Sequence, residues 1–187
     1  MMSRFFFMPT PIDGLHLIRR TPYKDERGYF ERLFCIEDMK IVLGNRKIVQ
    51  INHSYTMRRG TIRGLHYQHP PHSEMKIVSC IRGAVFDVAV DLRKNSPTFL
   101  KFHCTTLAQG DHCAFVIPEG FAHGFQTLED NCELLYFHTA QFEPQSEGGL
   151  NAFDPRLGIE WPLAVSERSP RDQQLEYLTF EFFGLNV

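Results

Sequence analysis

Residues 76–92 read KIVSCIRGAVFDVAVDL, and this stretch contains the clearest strand signal in the chain. In its second half, apolar side chains alternate with two aspartates, and a period of two residues predicts a β-strand. We predict strands at Lys76–Ile81 and Ala84–Leu92. Because a short turn containing glycine joins them at Arg82-Gly83, we predict that they form a β-hairpin.

The rest of the chain also favours short strands. Further strands are predicted at Lys47–Ser54, Gly60–Tyr67, Leu100–Leu107, Cys113–Ile117 and Cys132–Thr139. One helix is predicted over Glu37–Leu43, where Gly44 is placed to end it. The tail after Trp161 is expected to wrap around the strands or to pack as a short helix. Many short strands separated by Gly, Pro and Asn indicate an all-β fold with a few short helices, a sandwich or β-barrel of the jelly-roll kind.

Composition narrows the function classes. The 187 residues show no repeat and no linker, so we predict one domain over residues 1–187. A net charge of −2 without a basic block excludes the usual nucleic-acid-binding surface. No apolar run is long enough to span a membrane, so no membrane partner is expected. The five cysteines are odd in number and never spaced C-x-x-C, which argues against a disulfide framework and favours the reduced cytoplasm.

Several motifs contain residues that are suited to chemistry: DERG (25–28), GTIRGLHYQ (60–68), GAVFDVAVDLR (83–93), IPEGFAHGF (117–125) and GIEWP (158–162). Pro118-x-Gly120-x-x-His123 fits the second sequence motif of the cupins. In this order, and continuing to Asp172, the motifs closely resemble the dTDP-4-dehydrorhamnose 3,5-epimerase family over nearly the whole chain.

This resemblance implies a cupin-type jelly roll that works without a metal or another cofactor. The implied reaction inverts C3 and C5 of a nucleotide-linked 4-keto-6-deoxyhexose, converting dTDP-4-dehydro-6-deoxy-glucose to dTDP-4-dehydrorhamnose. Both carbons lie α to the C4 ketone, so each proton can leave as an enolate forms. The reaction needs a base, a positive group for the enolate oxygen and an acid on the opposite face, and each acid or base contributes about 10²–10⁴-fold.

The resemblance assigns these catalytic roles to four residues. His66 is the base and Asp172 is the carboxylate that orients it, as a carboxylate orients histidine in hydrolase triads. Lys76 stabilises the enolate oxygen, and Tyr136 returns the proton from the other face. Taken alone, each of these residues would more often have a structural role. His66 would be a structural histidine, Lys76 a solvated lysine, Tyr136 a core tyrosine and Asp172 a helix cap.

Substrate binding is assigned by the same resemblance to Arg27, Glu31, Gln50, Asn52, Arg63 and His123. Forked guanidinium groups suit the oxygens of a diphosphate, which is the role implied for the two arginines. Gln50 and Asn52 match positions that approach the nucleotide base. Family members have a glutamate near the nucleotide base, and in this sequence the glutamate, Glu31, lies one position earlier. Ile51 stands where family members commonly have aspartate. A CDP-sugar or another nucleotide sugar therefore stays open as the substrate.

Arg63 and His66 are three residues apart, so a regular strand would direct them to opposite faces. Gly64 lies between them and could allow a bulge or a strong twist that brings both side chains to one pocket. We predict such an irregularity.

Other functions stay open from the sequence. A relative that inverts only C3 or only C5 would carry the same catalytic residues. A metal-dependent cupin would use His66, His69, His72 and Glu74, although their spacing departs from the cupin metal motif. A sugar-binding cupin without activity is a further alternative. The resemblance also implies a homodimer in which the DERG segment reaches the partner's site.

Overall fold

The computed structural model describes residues 3–187, and two antiparallel sheets packed face to face make up most of this part. In chain order the strands are β1 (Phe5–Pro9), β2 (His16–Arg20), β3 (Tyr23–Asp25), β4 (Gly28–Phe30), β5 (Gln50–Thr56), β6 (Ile62–Gln68), β7 (Lys76–Arg82), β8 (Ala84–Asp91), β9 (Phe102–Ala108), β10 (Cys113–Ile117), β11 (Phe121–Thr127), β12 (Cys132–His138) and β13 (Glu147–Gly149). Two helices, α1 (Ile36–Leu43) and α2 (Pro170–Gln173), and a 3₁₀ turn at Pro144–Ser146 complete the elements. The predicted all-β fold with a few short helices is confirmed.

The first sheet has the strand order β1-β2-β10-β7-β12-β5, and the second has the order β13-β6-β11-β8-β9. Consecutive strands often lie in different sheets, as in a jelly roll. The predicted strands are all present, with ends that differ by a few residues. Strand β11, which contains the IPEGFAHGF histidine, was not predicted because its polar residues obscure the alternation.

The predicted hairpin at residues 76–92 is wrong. Strand β7 pairs with β10 and β12 in the first sheet, whereas β8 pairs with β11 and β9 in the second. Gly83 has φ +72°, and a Cβ there would lie 2.7 Å from Cys132 Sγ, so the chain turns tightly from one sheet into the other. Both strands are buried along most of their length, because each has one face in the barrel and one face covered from outside.

Three apolar clusters hold the layers together. The first fills the space between the sheets and includes Val78, Phe115, Phe125 and Leu134. The second lies on the outer face of the first sheet, where Met39 and Leu43 of α1 are buried. The third lies on the outer face of the second sheet, beneath C-terminal residues that include Leu157, Trp161, Leu178, Phe182 and Leu185. The tail was expected either to wrap around the strands or to pack as a short helix, and it does both.

Strands β3 and β4 form a small separate hairpin that contains the DERG motif. Its aromatic side chains Tyr23, Tyr29 and Phe30 are exposed in the single chain. Neither helix of the described residues combines the length and the apolar character required to cross a membrane.

Candidate active site

A cavity of about 720 Å³ opens between the two sheets and collects the predicted catalytic residues. His66 comes from β6, Lys76 from β7 and Tyr136 from β12, while Asp172 comes from α2 in the C-terminal tail. His66 therefore belongs to the second sheet, and Tyr136 belongs to the first. Groups from both walls of the barrel face one space.

His66 and Asp172 form a hydrogen-bonded pair. The ring Nε2 of His66 lies 2.8 Å from Asp172 Oδ1. The His66 side chain is 32% exposed, whereas that of Asp172 is 3% exposed. Within residues 3–187, Nδ1 of His66 makes no hydrogen bond to a protein group, so this nitrogen is available to accept a proton.

The position of Asp172 is fixed by its neighbours. Ser169 caps α2, and its hydroxyl accepts a hydrogen bond of 3.0 Å from the Asp172 backbone N–H. The Gly64 N–H donates to Asp172 Oδ2 at 3.1 Å. Although burial acts to raise it, hydrogen bonds from His66, Gly64 and Ser169 hold the pKa of Asp172 below its usual value. The carboxylate is therefore ionised near neutral pH and can stabilise a protonated His66.

A bulge at Gly64 brings Arg63 and His66 to the same cavity, which confirms the predicted irregularity. In the pairing of β6 with β11, His66 lies opposite His123 and Arg63 lies opposite Phe125, with a shift in register between them. Three steps on β6 thus match two steps on β11, and both side chains line the cavity.

Lys76 belongs to a buried network of charged and polar groups. Its ammonium nitrogen lies 2.9 Å from Glu74 Oε1, and the other oxygen of Glu74 lies 2.8 Å from His138 Nδ1. Burial acts to raise the pKa of Glu74, but Lys76 and His138 lower it to about 2. Glu74 is therefore a carboxylate throughout the neutral range.

Tyr136 faces the cavity with its hydroxyl 3.1 Å from Ser54 Oγ. Removal from water raises the pKa of Tyr136, while the hydrogen bond to Ser54 acts in the opposite direction. The phenol therefore stays protonated at neutral pH, as an acid requires. Its ring lies edge-on to His123 at a centroid distance of 6.2 Å.

His123 and Asp87 form a second histidine–carboxylate pair, with 2.7 Å between Nε2 and Oδ1. Asp87 is fully buried on β8, and its Oδ2 has no hydrogen-bond partner among the described residues. We did not predict Asp87 as part of the site. The signal was present, because an acidic residue within the apolar run AVFDVAV needs a buried partner.

The structure divides the predicted substrate-binding residues into two groups. Arg63, Asn52 and His123 line the cavity, and Gln50 hydrogen-bonds Asn52 at 3.1 Å. Arg27 lies on the exposed β3–β4 hairpin, where it pairs with Asp25.

Glu31 is also outside this cavity. It lies 3.0 Å from Arg20 and 3.3 Å from His112. A single chain therefore brings neither Arg27 nor Glu31 to His66.

The four residues of the metal-cupin alternative do not form one donor set. His66 is paired with Asp172, and Glu74 is paired with Lys76 and His138. His69 packs its ring against Tyr67 at a centroid distance of 5.0 Å. Among residues 3–187 no group of three or more His, Cys, Asp or Glu side chains is arranged to hold a metal ion.

Comparison with known proteins connects this site to one family. The family model for dTDP-4-dehydrorhamnose 3,5-epimerase matches residues 9–179. A protein of that name from Methanothermobacter thermautotrophicus is 41% identical over 169 residues, which cover 88% of each chain. A dTDP-4-dehydrorhamnose 3-epimerase from Streptomyces niveus is 36% identical over 166 residues, covering 88% of this chain and 80% of that protein.

Solved structures agree with the sequence matches. The epimerase from Legionella pneumophila, determined in complex with dTDP-4-keto-L-rhamnose, superposes with a TM-score of 0.88 and 39% identity. The superposition covers 92% of both chains. The fold, the family-model match and the sequence identity agree, and the chain belongs to the dTDP-4-dehydrorhamnose 3,5-epimerase family.

Proposed function

We propose that this protein is an epimerase that inverts C3 and C5 of a nucleotide-linked 4-keto-6-deoxyhexose. The observation that carries the proposal is the pairing of His66 with Asp172 on one wall of the cavity, with Tyr136 on the other wall. A base and an acid on opposite sides of a sugar ring are what inversion at carbon requires. The leading substrate is dTDP-4-dehydro-6-deoxy-glucose, and the product is dTDP-4-dehydrorhamnose.

The proposed reaction is a proton removal followed by a proton return, and it needs no cofactor. His66 takes the proton from the carbon beside the ketone, and the C–H electron pair shifts to form an enolate whose charge lies on the C4 oxygen. The Lys76 ammonium stabilises that oxygen, as a positive group does in oxyanion sites. Tyr136 then donates its proton to the opposite face while the C4 carbonyl re-forms. Exchange with solvent restores His66 and Tyr136 for the second carbon.

The dTDP preference is supported by family membership and by the dTDP-4-keto-L-rhamnose complex of the Legionella pneumophila epimerase. Arg63 stands at the cavity with its guanidinium bound to Thr56 Oγ1 at 2.9 Å and to the Tyr55 carbonyl at 3.0 Å. These two hydrogen bonds would direct the Arg63 guanidinium toward a diphosphate. Exposed Ile51 also lines the cavity, so a CDP-sugar is the second substrate to test.

Inversion at a single carbon is the second candidate function. It is favoured by one observation, the similarity of the chain to a 3-epimerase from Streptomyces niveus. The His–Asp pair, the lysine and the tyrosine would serve a single inversion equally well.

Proton NMR of the purified protein with dTDP-4-dehydro-6-deoxy-glucose in D₂O tests both candidates. Deuterium entering at C3 and at C5 supports the proposed function, whereas exchange at one carbon supports the single inversion. Absence of exchange with both the dTDP-sugar and the CDP-sugar would contradict the proposal.

Tyr136→Phe is expected to separate proton removal from inversion. The variant loses the hydroxyl that donates from the second face, but it keeps the His66–Asp172 pair. Deuterium should still enter the sugar, because His66 can return a solvent-derived proton from its own side. Formation of the inverted product should fall by about 10²–10⁴-fold. Equal loss of exchange and inversion would contradict this division of roles.

We propose that two chains associate and that the β3–β4 hairpin of one chain reaches the cavity of the other. The exposed Tyr23, Tyr29 and Phe30 give this hairpin an apolar surface suited to burial. In that arrangement Arg27 would contact the diphosphate of the substrate in the partner's cavity. Glu31 would lie near the nucleotide base of the same substrate. Light scattering should give about twice the chain mass of 21.7 kDa. A monomer that retains full activity would contradict the proposal.

The proposed location is the cytoplasm. All five cysteines are free thiols, as in proteins of reducing compartments. Recovery of the native protein in the cytoplasmic fraction of its source cells would support this location, and its recovery outside the cell would contradict it.

A further inference from the structure

We propose that Glu74 is a positioning residue for the reaction, the buried counter-ion that holds Lys76 charged and aimed into the cavity, and that His138 braces it. This inference rests on the proposed function, in which Lys76 stabilises the enolate oxygen. No motif of the sequence assigned either Glu74 or His138 to that reaction.

Burial creates the need for a counter-ion. The Lys76 side chain is only 7% exposed, and an ammonium removed from water is costly unless it is paired and hydrogen-bonded. Glu74, itself 10% exposed, supplies one carboxylate oxygen at 2.9 Å. Without Glu74 the ammonium would be buried with no charged partner, and that partner is what offsets the cost of removing it from water.

His138 fixes the second oxygen of Glu74. Strand β12 ends at His138 directly opposite Lys76, the first residue of β7, so the register of the sheet brings the two ends together. His138 Nδ1 lies 2.8 Å from Glu74 Oε2, which leaves the carboxylate held at both oxygens. A carboxylate held at two points has little freedom to rotate away from the lysine.

The network continues from His138 toward the binding residues. His138 Nε2 lies 3.4 Å from Asn52 Nδ2, and Asn52 Oδ1 accepts a hydrogen bond of 3.1 Å from Gln50. If Asn52 donates to Nε2 of His138, then Nδ1 of His138 carries the proton and donates to Glu74. The donors and acceptors are therefore consistent along this series of hydrogen bonds. Gln50 and Asn52, which are proposed to approach the nucleotide, are thus linked to Lys76, which is proposed to act at the ketone. The link runs through His138 and Glu74.

Other charged and titratable groups face the same space and contribute to its potential. From β12, Tyr136 stacks on His138 with 6.1 Å between ring centroids. The remaining ones that line the cavity are His53, Arg63, His66, His123, Glu147, Arg171 and Asp172. Among the described residues, the side chains that contact Glu74 are Lys76, through an ion pair, and His138, through a hydrogen bond, so neutralising Glu74 acts first on these two.

The test is Glu74→Gln, which keeps the size of the side chain and removes its charge. We expect kcat for deuterium exchange to fall about 10–100-fold, less than the ~10²–10³-fold expected for losing an oxyanion donor outright. The substrate KM should change little, because the nucleotide contacts remain. The alkaline limb of the rate profile should move to lower pH, since a buried ammonium without a counter-ion loses its proton more readily. Glu74→Asp should recover part of both effects.

A second measurement is independent of activity. The Cε–Hε resonances of Lys76 in ¹³C-labelled protein, assigned by their loss in Lys76→Met, should titrate at lower pH in Glu74→Gln than in the unaltered protein. Glu119→Gln is the matched control, because it breaks an ion pair with Arg46 away from the cavity and should alter neither readout.

The outcomes separate this inference from the proposed function. An unchanged Lys76 titration, or an exchange rate and pH profile equal to those of the unaltered protein, would overturn the role of Glu74. A shifted titration in a protein that exchanges no substrate proton would support the pairing and contradict the epimerase.

Discussion

Replacing His66 with asparagine is expected to lower the rate of deuterium exchange at C3 and C5 by about 10²–10⁴-fold, the usual contribution of a general base. Asparagine has an amide that can donate to Asp172, so the buried carboxylate keeps a partner. It has no basic nitrogen for the substrate proton. Alanine would be a poorer test, because leaving a buried acceptor unpaired costs about 1–3 kcal/mol of stability by itself.

Two measurements test the expectation for His66→Asn. NMR in D₂O follows the exchange, and thermal unfolding verifies that the fold is intact. His103→Asn provides the control, because His103 lies on β9 against Phe115 and does not line the cavity. Exchange at the unaltered rate in folded His66→Asn would show that another group removes the proton.

Strand positions were predictable from the sequence, whereas the connection between two of them was not. The apolar runs on both sides of Gly83 gave β7 and β8 nearly to the residue. The hairpin rule then failed, because it assumes that consecutive strands lie side by side. The observed pairing places β7 and β8 in different sheets, and both strands are buried along most of their length.

Part of the candidate site could be predicted, because the resemblance to the family assigned residues position by position. His66, Lys76, Tyr136 and Asp172 were assigned in this way and all four line one cavity, while their catalytic roles stay predictions. Their partners were harder to predict because they depend on the register between distant strands. The sequence alone does not reveal that Glu74 meets a side chain 64 residues away.

The proposed association between chains could not be predicted from the pattern of residues alone. DERG suggested a binding segment, and the structure places Arg27 on an exposed hairpin, where its fork binds Asp25. That this hairpin meets a second chain was expected from the resemblance to the family and not from the local sequence pattern. Exposed aromatic residues at its edge are the feature that makes a second chain the proposed partner.

Gly64→Ala is expected to destabilise the protein by about 3–5 kcal/mol, through left-handed backbone strain and overpacking together. Gly64 has φ +119°, which L side chains rarely adopt. A Cβ at this position would lie 2.7 Å from the Gly124 Cα and 2.8 Å from the His123 carbonyl oxygen. Both contacts are with the backbone of β11, so no side chain can rotate away to relieve them.

The same substitution should remove activity even at temperatures where the protein stays folded. Moving the bulge displaces the Gly64 N–H from Asp172 and changes the position of His66, and a shift of about 1 Å can cost 10²-fold in rate. Gly110→Ala is the matched control, since Gly110 has φ +80° but no atom within 4 Å of the methyl carbon that alanine would add, and strain alone should cost about 1–2 kcal/mol. Chemical denaturation and the exchange assay would measure both variants. If Gly64→Ala loses no more stability than Gly110→Ala and keeps its activity, then close packing of β6 against β11 is not what positions the His66–Asp172 pair.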